Sequence, residues 1–176
     1  MIEAAKRGDE AAFSTLWRDA NPALLRYLRV AIPEHAEDVA AETWVQVLRG
    51  LAQFTGDESA WRAWLFTNAR RRVLDQVRHR TRHPAEPLDD IRASEVPRTA
   101  DAEQLAMDNI ATEQAIALVS RLPEQQAEVI MLRVVAGLET DVVAELLGRS
   151  PGAVRVAAHR GLKKLATLLS GAGVTL

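Results

Sequence analysis

Apolar residues recur every three or four positions along most of this 176-residue chain, and no segment shows the alternation of apolar and polar residues that is typical of a β-strand. Three helices are predicted in the first half: one that Asp9 can cap, a second over about residues 35–51, and a third that begins at the N-cap Ser59 and ends near Arg82. Pro22 is expected to bend or break the first of them. Four shorter helices are predicted in the second half, so the spacing predicts an all-α fold.

The second and third predicted helices each have one apolar face, which we expect to be buried. In the second helix this face consists of Ala36, Val39, Ala40, Thr43, Trp44, Val47 and Leu48. In the third helix it consists of Trp61, Leu65, Phe66, Ala69, Val73 and Val77. The opposite face of the third helix mixes aromatic, polar and basic residues, at Trp64, Thr67, Asn68, Arg71, Asp75, Arg78 and Arg82.

Aromatic and charged residues are unevenly distributed, and their distribution divides the chain into three parts. All eight aromatic residues lie in the first 66 positions, and residues 62–82 contain seven arginines but only one acidic residue, Asp75. Residues 84–112 carry seven acidic and two basic side chains, contain three prolines and show no apolar periodicity. We therefore expect two small helical domains, residues 1–83 and 113–176, joined by a flexible acidic linker over residues 84–112.

The composition excludes several classes of protein and of site. Without cysteine the chain forms no disulfide, thiolate metal site or cysteine nucleophile. It has neither the apolar run of ~18 residues that a membrane span needs nor the apolar core of a signal peptide, so we expect a cytoplasmic protein. Because a Gly-rich phosphate loop and a nucleophile with an adjacent base are also missing, we expect no enzymatic activity and no cofactor. His79 and His83 have a metal-compatible spacing, but the surrounding arginines repel a cation, and no metal site is expected.

The strongest functional motif is a pair of short helices near the C-terminus, TDVVAELLG and SPGAVRVAAHRGLKKL, separated by a tight turn. Helices joined in this way form a helix-turn-helix, whose second helix enters the DNA major groove. Ser150 is expected to cap that helix, and from Ser150 onward there are four basic residues and no acidic one. The candidate DNA-binding residues are Ser150, Gly152, Arg155, Val156, His159, Arg160, Lys163 and Lys164. The alternative is a solvated amphipathic helix that binds nothing.

The basic face of the third helix, together with the loop over residues 54–60, fits single-stranded or unwinding DNA. Arginines would contact phosphates, and an exposed base would stack or enter the loop, with stacking worth roughly 1–3 kcal/mol per base. For Trp64 the residues favour the simpler interpretation, in which its ring packs into the core.

The mixed face of the second helix surrounds the apolar residues Ala41 and Val45 with charged and amide side chains. Such a stripe suits docking onto the helices of another protein. A plain solvated face is an equally good interpretation of the same residues.

Three blocks of the sequence resemble parts of one known family. AEDVAAETWVQVLRGL is similar to a polymerase-binding helix, SAWRAWLFTNARRRVLDQVRHR to the segment that melts and reads the −10 element, and LPEQQAEVIMLRVVAGLETDVVAELLGRSPGAVRVAAHRGLKKL to a −35-reading domain. The family is that of the bacterial extracytoplasmic-function (ECF, group 4) sigma factors. The blocks occur in the family's order, and only the linker is unmatched.

The resemblance implies two all-helical domains, sigma-2 and sigma-4, that bind core RNA polymerase and give it promoter specificity without catalysing a reaction themselves. It also implies control by a soluble or membrane-bound anti-sigma factor. The implied contacts with the clamp helices of polymerase are Asp38, Glu42, Gln46 and Arg49. The implied −10 and melting residues are Phe54, Thr55, Asp57, Ser59, Trp64, Asn68, Arg70, Arg71, Arg78 and Arg80. The implied −35 residues are those of the helix-turn-helix named above.

A second hypothesis keeps the helix-turn-helix as the DNA-binding motif, but the chain acts without RNA polymerase. In this hypothesis the chain is a stand-alone two-domain transcription regulator, which needs no clamp-binding helix. Co-purification with core polymerase would separate the two hypotheses.

Overall fold

A computed structural model describes residues 1–82 and 102–171, and all regular secondary structure in these two ranges is helical. A short 3₁₀ turn at Pro33–His35 precedes the third helix, and a π-helical turn at Met131–Val135 continues the sixth. The predicted all-α fold class is confirmed. We call α1–α4 the N-terminal domain and α5–α8 the C-terminal domain. The helices are α1 (Ile2–Lys6), α2 (Glu10–Ala31), α3 (Ala36–Leu51), α4 (Glu58–Arg82), α5 (Ala102–Val119), α6 (Glu124–Ile130), α7 (Thr140–Leu147) and α8 (Pro151–Gly171).

The long helix α2 starts where the sequence predicts and continues through a proline. The Asp9 side chain accepts a hydrogen bond from the backbone N–H of Ala12, as its predicted role as N-cap requires. Pro22 lies inside α2 and does not break it. An interior proline costs about 3 kcal/mol or more. Burial of the neighbouring Ala23 and Leu24 against the other helices offsets that cost.

Aromatic side chains fill the centre of the N-terminal domain, where α2, α3 and α4 pack together. The Trp61 ring is 2% exposed and lies 5.6 Å from Trp64, 5.9 Å from Phe54 and 6.5 Å from Trp44, measured between ring centroids. Tilted and edge-to-face pairs of this kind contribute about 0.5–1.5 kcal/mol each beyond the area they bury. This aromatic cluster fixes the end of α3 and the start of α4 against each other.

Three local predictions for α3 and α4 are wrong. The side chain that caps α4 is Asp57, which accepts a hydrogen bond from the backbone N–H of Ala60 at 2.9 Å, so the cap lies two residues before Ser59. Leu48 is 53% exposed because it lies beyond the edge of the buried arc of α3. Val77 is 47% exposed because the last buried residue of α4 is Val73, and the rest of the helix extends past the core.

Helix α5 begins at Ala102, within the segment predicted as a linker. Residues 102–112 are therefore helical, which is consistent with a run free of proline and rich in Ala, Leu, Met, Glu and Gln. The remainder of the predicted linker, residues 84–101, lies outside the described residues, and so does His83.

The C-terminal domain packs α6 and α7 against α8 around aliphatic side chains. Leu132, Val143 and Val154 are fully buried. A Cβ atom added to Gly161 of α8 would lie 3.0 Å from Cγ1 of Ile130, so the missing side chain lets α8 approach α6 closely. This contact holds α8 firmly on one side and leaves its other side uncovered.

The two domains contact each other directly. Helix α2 packs against α5, α6 and the π-helical turn. Arg70 of α4 pairs with Glu128 of α6 at 2.9 Å, and Arg29 of α2 pairs with Glu113 of α5 at 2.8 Å. The guanidinium of Arg62 also donates to the backbone carbonyl of Ala136 at 3.5 Å.

Candidate nucleic-acid interface

The uncovered side of α8 is basic and has no acidic residue along it. Val154 and Gly161 lie on the buried side, while every candidate of the opposite side is exposed. No ion pair within the described ranges involves the charged residues of this exposed side. These cationic side chains can therefore contact a polyanion without first breaking an ion pair with a carboxylate. The exposed candidates are Ser150, Gly152, Arg155, Val156, His159, Arg160, Lys163 and Lys164.

The turn before α8 has the geometry that a helix-turn-helix needs. Gly148 ends α7 with φ +62° and ψ +41°, a left-handed conformation that glycine adopts without a steric penalty. The Ser150 hydroxyl then accepts a hydrogen bond from the backbone N–H of Ala153 at 3.2 Å, as predicted for an N-cap. The turn thus joins α7 to α8 within three residues, and the first turn of α8 is exposed at Gly152 and Ala153.

A shallow groove beside this helix is lined by Arg149, a basic residue that is not among the predicted DNA-binding residues. It has a volume of about 500 Å³ and lies between the start of α6 and the first turns of α8. Arg149 lines it, next to Arg160, and its guanidinium donates to Oε1 of Gln125 at 2.9 Å. Arg149 could have been predicted from its position directly before the capping residue Ser150. Arg149 extends the basic surface from α8 onto the turn.

The loop before α4 is held in place by aromatic packing. Phe54 is only 9% exposed, and its ring centroid lies 5.2 Å from that of Trp64, which is half-buried. Trp64 also lies against α3, since a Cβ atom on Gly50 would come within 2.9 Å of it. Thr55 and Ser59 are exposed. The loop therefore exposes two hydroxyl groups, while the packed rings of Phe54 and Trp64 hold it in place.

The basic residues of α4 point in different directions. Arg71, Arg78 and Arg80 are exposed, although Arg78 pairs with Asp75 and Arg80 with Glu34. Arg70 turns away from them towards the C-terminal domain, where Glu128 holds it.

Two further groups on α4 and α2 are constrained by their surroundings. The Asn68 amide donates to the backbone carbonyl of Trp64 at 2.8 Å, which restricts its part-buried side chain. Burial raises the pKa of the Tyr27 phenol far above its usual range, and the Glu128 carboxylate raises it further.

Helix α3 carries the candidate protein-binding face. Asp38, Glu42 and Arg49 are exposed and Gln46 is half-buried. Between them runs an exposed apolar stripe that also includes Ala41, and in it Val45 and Leu48 are 46% and 53% exposed. A cleft of about 370 Å³ adjoins the start of this face, and Asp38, Ala41 and Glu42 are among its lining residues. Exposed apolar side chains in a charged frame are typical of a docking surface.

Within residues 1–82 and 102–171, none of the helices combines the length and the hydropathy needed to cross a bilayer. In the same ranges, histidine and acidic side chains form no group of three or more that could hold a metal ion.

Family models match both domains. The model for sigma-70 region 2 matches residues 16–83, and the model for sigma-70 region 4 matches residues 112–165. The ECF RNA polymerase sigma factor ShbA of Streptomyces griseus is 34% identical over 96% of this chain and 93% of its own length. The chain belongs to the ECF sigma factor family. ECF sigma factors are non-enzymatic transcription initiation factors, so the stand-alone regulator is not supported.

Other ECF sigma factors agree with this assignment. SigD of Mycobacterium tuberculosis is 30% identical over 98% of this chain and 84% of its own length. The solved structure of CnrH in complex with the cytosolic domain of CnrY has a TM-score of 0.63 at 22% identity, over 97% of this chain and 95% of that one. This structural likeness shows that the fold is shared.

Proposed function

We propose that this sigma factor binds core RNA polymerase through α3, reads the −35 duplex with α8 and holds the melted −10 element with α4 and its preceding loop. The observation that carries the proposal is the exposed, acid-free basic side of α8 behind a well-formed turn. Each of the three surfaces is on a different helix, so one chain can make the three contacts together.

On the −35 side, α8 enters the major groove with its first turns. Arg155 and Arg160 reach guanine edges or phosphates, and His159 lies between them on the same side. Val156, 49% exposed, contacts a thymine methyl group. Lys163 and Lys164, farther along α8, contact phosphates, which set the register of the helix on the duplex but carry no sequence information.

On the −10 side, the exposed hydroxyls of Thr55 and Ser59 hydrogen-bond a base that has left the stack. Arg71, Arg78 and Arg80 hold the phosphates of the separated strand. The buried Phe54 and the half-buried Trp64 act indirectly, because their packing against each other holds the loop in place. Asp57 does the same through its hydrogen bond to the first turn of α4.

On the polymerase side, the stripe of Ala41, Val45 and Leu48 is covered by the clamp helices, and the charged residues around it select the orientation. Glu42 is linked to Arg72 of α4 at 3.4 Å, so α3 and α4 are coupled at this surface. Burying the apolar stripe supplies affinity, while the charged rim supplies specificity.

An anti-sigma factor is the proposed regulator. One similar solved structure, with a TM-score of 0.63 at 20% identity, is that of the sigma factor RpoE in complex with the anti-sigma factor NepR from Bartonella quintana. We place the chain in the cytoplasm, where polymerase and chromosome are found. A partner that covers the α3 face would exclude polymerase.

Run-off transcription with core polymerase and a library of promoter fragments tests the proposal. Adding the chain should create initiation at a defined set of promoters. The double variant Asp38→Arg and Glu42→Arg should lose co-purification with core polymerase. The matched control, Glu10→Arg and Glu145→Arg, makes the same charge change at exposed positions elsewhere and should retain it. Absence of promoter-dependent initiation, or equal binding by both double variants, contradicts the proposal.

A further inference from the structure

Arg149, in the turn before α8, is held by hydrogen bonds of both its backbone and its side chain. Its backbone N–H donates to the carbonyl of Ala144 at 2.8 Å, and that of Gly148 donates to the carbonyl of Glu145 at 3.1 Å. With Gly148 in the left-handed conformation, these two bonds form a Schellman motif at the end of α7. The Arg149 guanidinium donates to Oε1 of Gln125, near the start of α6, at 2.9 Å. The turn and α6 together therefore fix the position of this cation.

The hydrogen bond to Gln125 orients Arg149 without neutralising it. The Gln125 amide carries no charge, and Arg149 forms no ion pair with any other residue that the structure describes. A guanidinium has five N–H donors, and this bond uses one of them. Because Arg149 is exposed, the other donors can reach a ligand. An arginine that is already oriented loses less conformational freedom when it binds an anion.

The groove between α6 and α8 is elongated, and a cation lines it towards each end. Arg149, Ala153, Val156 and Arg160 follow one another at intervals of four, three and four residues, so they form one stripe along the side of α8. Between Pro151 and Arg160 the helix rises roughly 13 Å, at about 1.5 Å per residue. A DNA strand carries one phosphate per roughly 3.4 Å of duplex axis. The stripe therefore matches a stretch of strand backbone better than a single small anion.

One acidic residue also lines this groove. It is Glu124, the first residue of α6. Its carboxylate repels phosphate on the α6 side of the groove, so a strand in the groove lies closer to α8. This is the side on which a strand bordering the major groove passes when the first turns of α8 enter that groove.

We propose that Arg149 is a further phosphate-binding residue of the −35 interface, and that Gln125 is its positioning residue. Arg149 and Arg160 hold one strand along the groove, which brings the start of α6 into the DNA interface and helps to set the register of α8 on the duplex. The proposal rests on the proposed function, in which α8 enters the major groove.

Removal of the Arg149 charge tests the phosphate contact. Filter binding of the full-length chain to a duplex fragment is measured between about 50 and 200 mM salt. Arg149→Ala should flatten the slope of log K against log salt concentration by about 0.9, so the wild-type chain should lose about 3.5-fold more affinity over this range. Arg149→Lys, which keeps the charge, and Arg18→Ala, the same truncation at an exposed residue of α2, should retain the wild-type slope. Glu124→Gln should bind more tightly at low salt.

A double-mutant cycle tests the positioning role of Gln125. Gln125→Ala should weaken binding by about two- to tenfold, the effect of losing one hydrogen bond, and should leave the salt slope unchanged because no charge is removed. In the Arg149→Ala background the same substitution should have no effect. Gln114→Ala, the same truncation at an exposed residue of α5, should be neutral in both backgrounds. Circular dichroism checks that all variants are folded.

Two results would overturn the proposal: a wild-type salt slope for Arg149→Ala, or an equal effect of Gln125→Ala with and without Arg149. The double variant Lys163→Ala and Lys164→Ala separates this failure from that of the proposed function. If it flattens the slope and Arg149→Ala does not, only the role of Arg149 is refuted. If neither variant changes the slope, α8 does not bind the duplex and the proposed function fails as well.

Discussion

The two lysines at the exposed side of α8 give a quantitative test of DNA binding. Lys163 and Lys164 are exposed, and the chain has only one other lysine, Lys6, which pairs with Glu3 at 2.9 Å in α1. If each α8 lysine neutralises one phosphate, each contributes about 0.9 to the slope of log K against log salt concentration. The double variant Lys163→Ala and Lys164→Ala should therefore flatten that slope by about 1.8.

The expected effect is large enough to measure. Between 50 and 200 mM salt the wild-type chain should lose about 12-fold more affinity than the double variant, from the difference of about 1.8 in slope. Filter binding of the full-length chain to a duplex fragment over this range measures both slopes. At low salt the double variant should bind more weakly, and the two curves should converge as the salt concentration rises.

The control is Lys6→Ala, which removes a positive charge of the same chemistry from a helix outside the proposed interfaces. Its slope should equal that of the wild-type chain. Parallel curves for the wild-type chain and the double variant would refute the reasoning, because phosphate contacts by Lys163 and Lys164 cannot be lost without a change in counterion release. A flatter slope for Lys6→Ala would place the DNA elsewhere on the molecule.

Three further predictions concern stability, each measured by urea unfolding followed by circular dichroism. Asp57→Ala should cost about 1 kcal/mol because it removes the cap of α4, and Ser59→Ala should be close to neutral; the opposite order would restore Ser59 as the cap. Leu132→Ala, in the C-terminal core, should cost about 2–5 kcal/mol, whereas the exposed Val134→Ala should change stability by no more than about 0.5 kcal/mol. The raised pKa of Tyr27 means that the native state holds the phenolic proton more tightly than the unfolded chain, so this contribution to stability is complete below about pH 10 and is lost as the pH rises above it. Tyr27→Phe should reduce that alkaline loss, and an unchanged pH profile would contradict it.

Periodicity predicted the helices well because most of them have a single buried arc. The cap of α2 by Asp9 and the cap of α8 by Ser150 were predictable, since each uses a hydrogen bond to a residue three positions away. For α4 the sequence predicted Ser59 as the N-cap, but the cap is Asp57. Both residue types are good N-caps, and only the packing of the loop over residues 54–60 decides between them. Pro22 is a similar case, in which tertiary burial outweighs a local signal.

The exposed stripe and the domain contact were harder to predict. Leu48 has the spacing of a buried residue, and nothing in α3 alone shows that it lies beyond the edge of the buried arc. Arg70 and Arg71 are neighbours in a basic run, yet Arg70 pairs with Glu128 while Arg71 is exposed, because successive helical residues are rotated by about 100°. The pairing of Arg70 with Glu128 joins residues far apart in the sequence, and local pattern carries no information about it. The assignment of individual residues to polymerase, −10 and −35 contacts stays a prediction.

The placement of the indole rings has a practical consequence for studies of this chain in solution. All four tryptophans belong to the N-terminal domain, and three of them lie in the cluster around Trp61. Intrinsic emission therefore reports the melting of one domain, while backbone dichroism reports both. Different denaturation midpoints for these two signals would show that one domain unfolds before the other. The tryptophan emission curve would then identify which domain unfolds first, without any added dye.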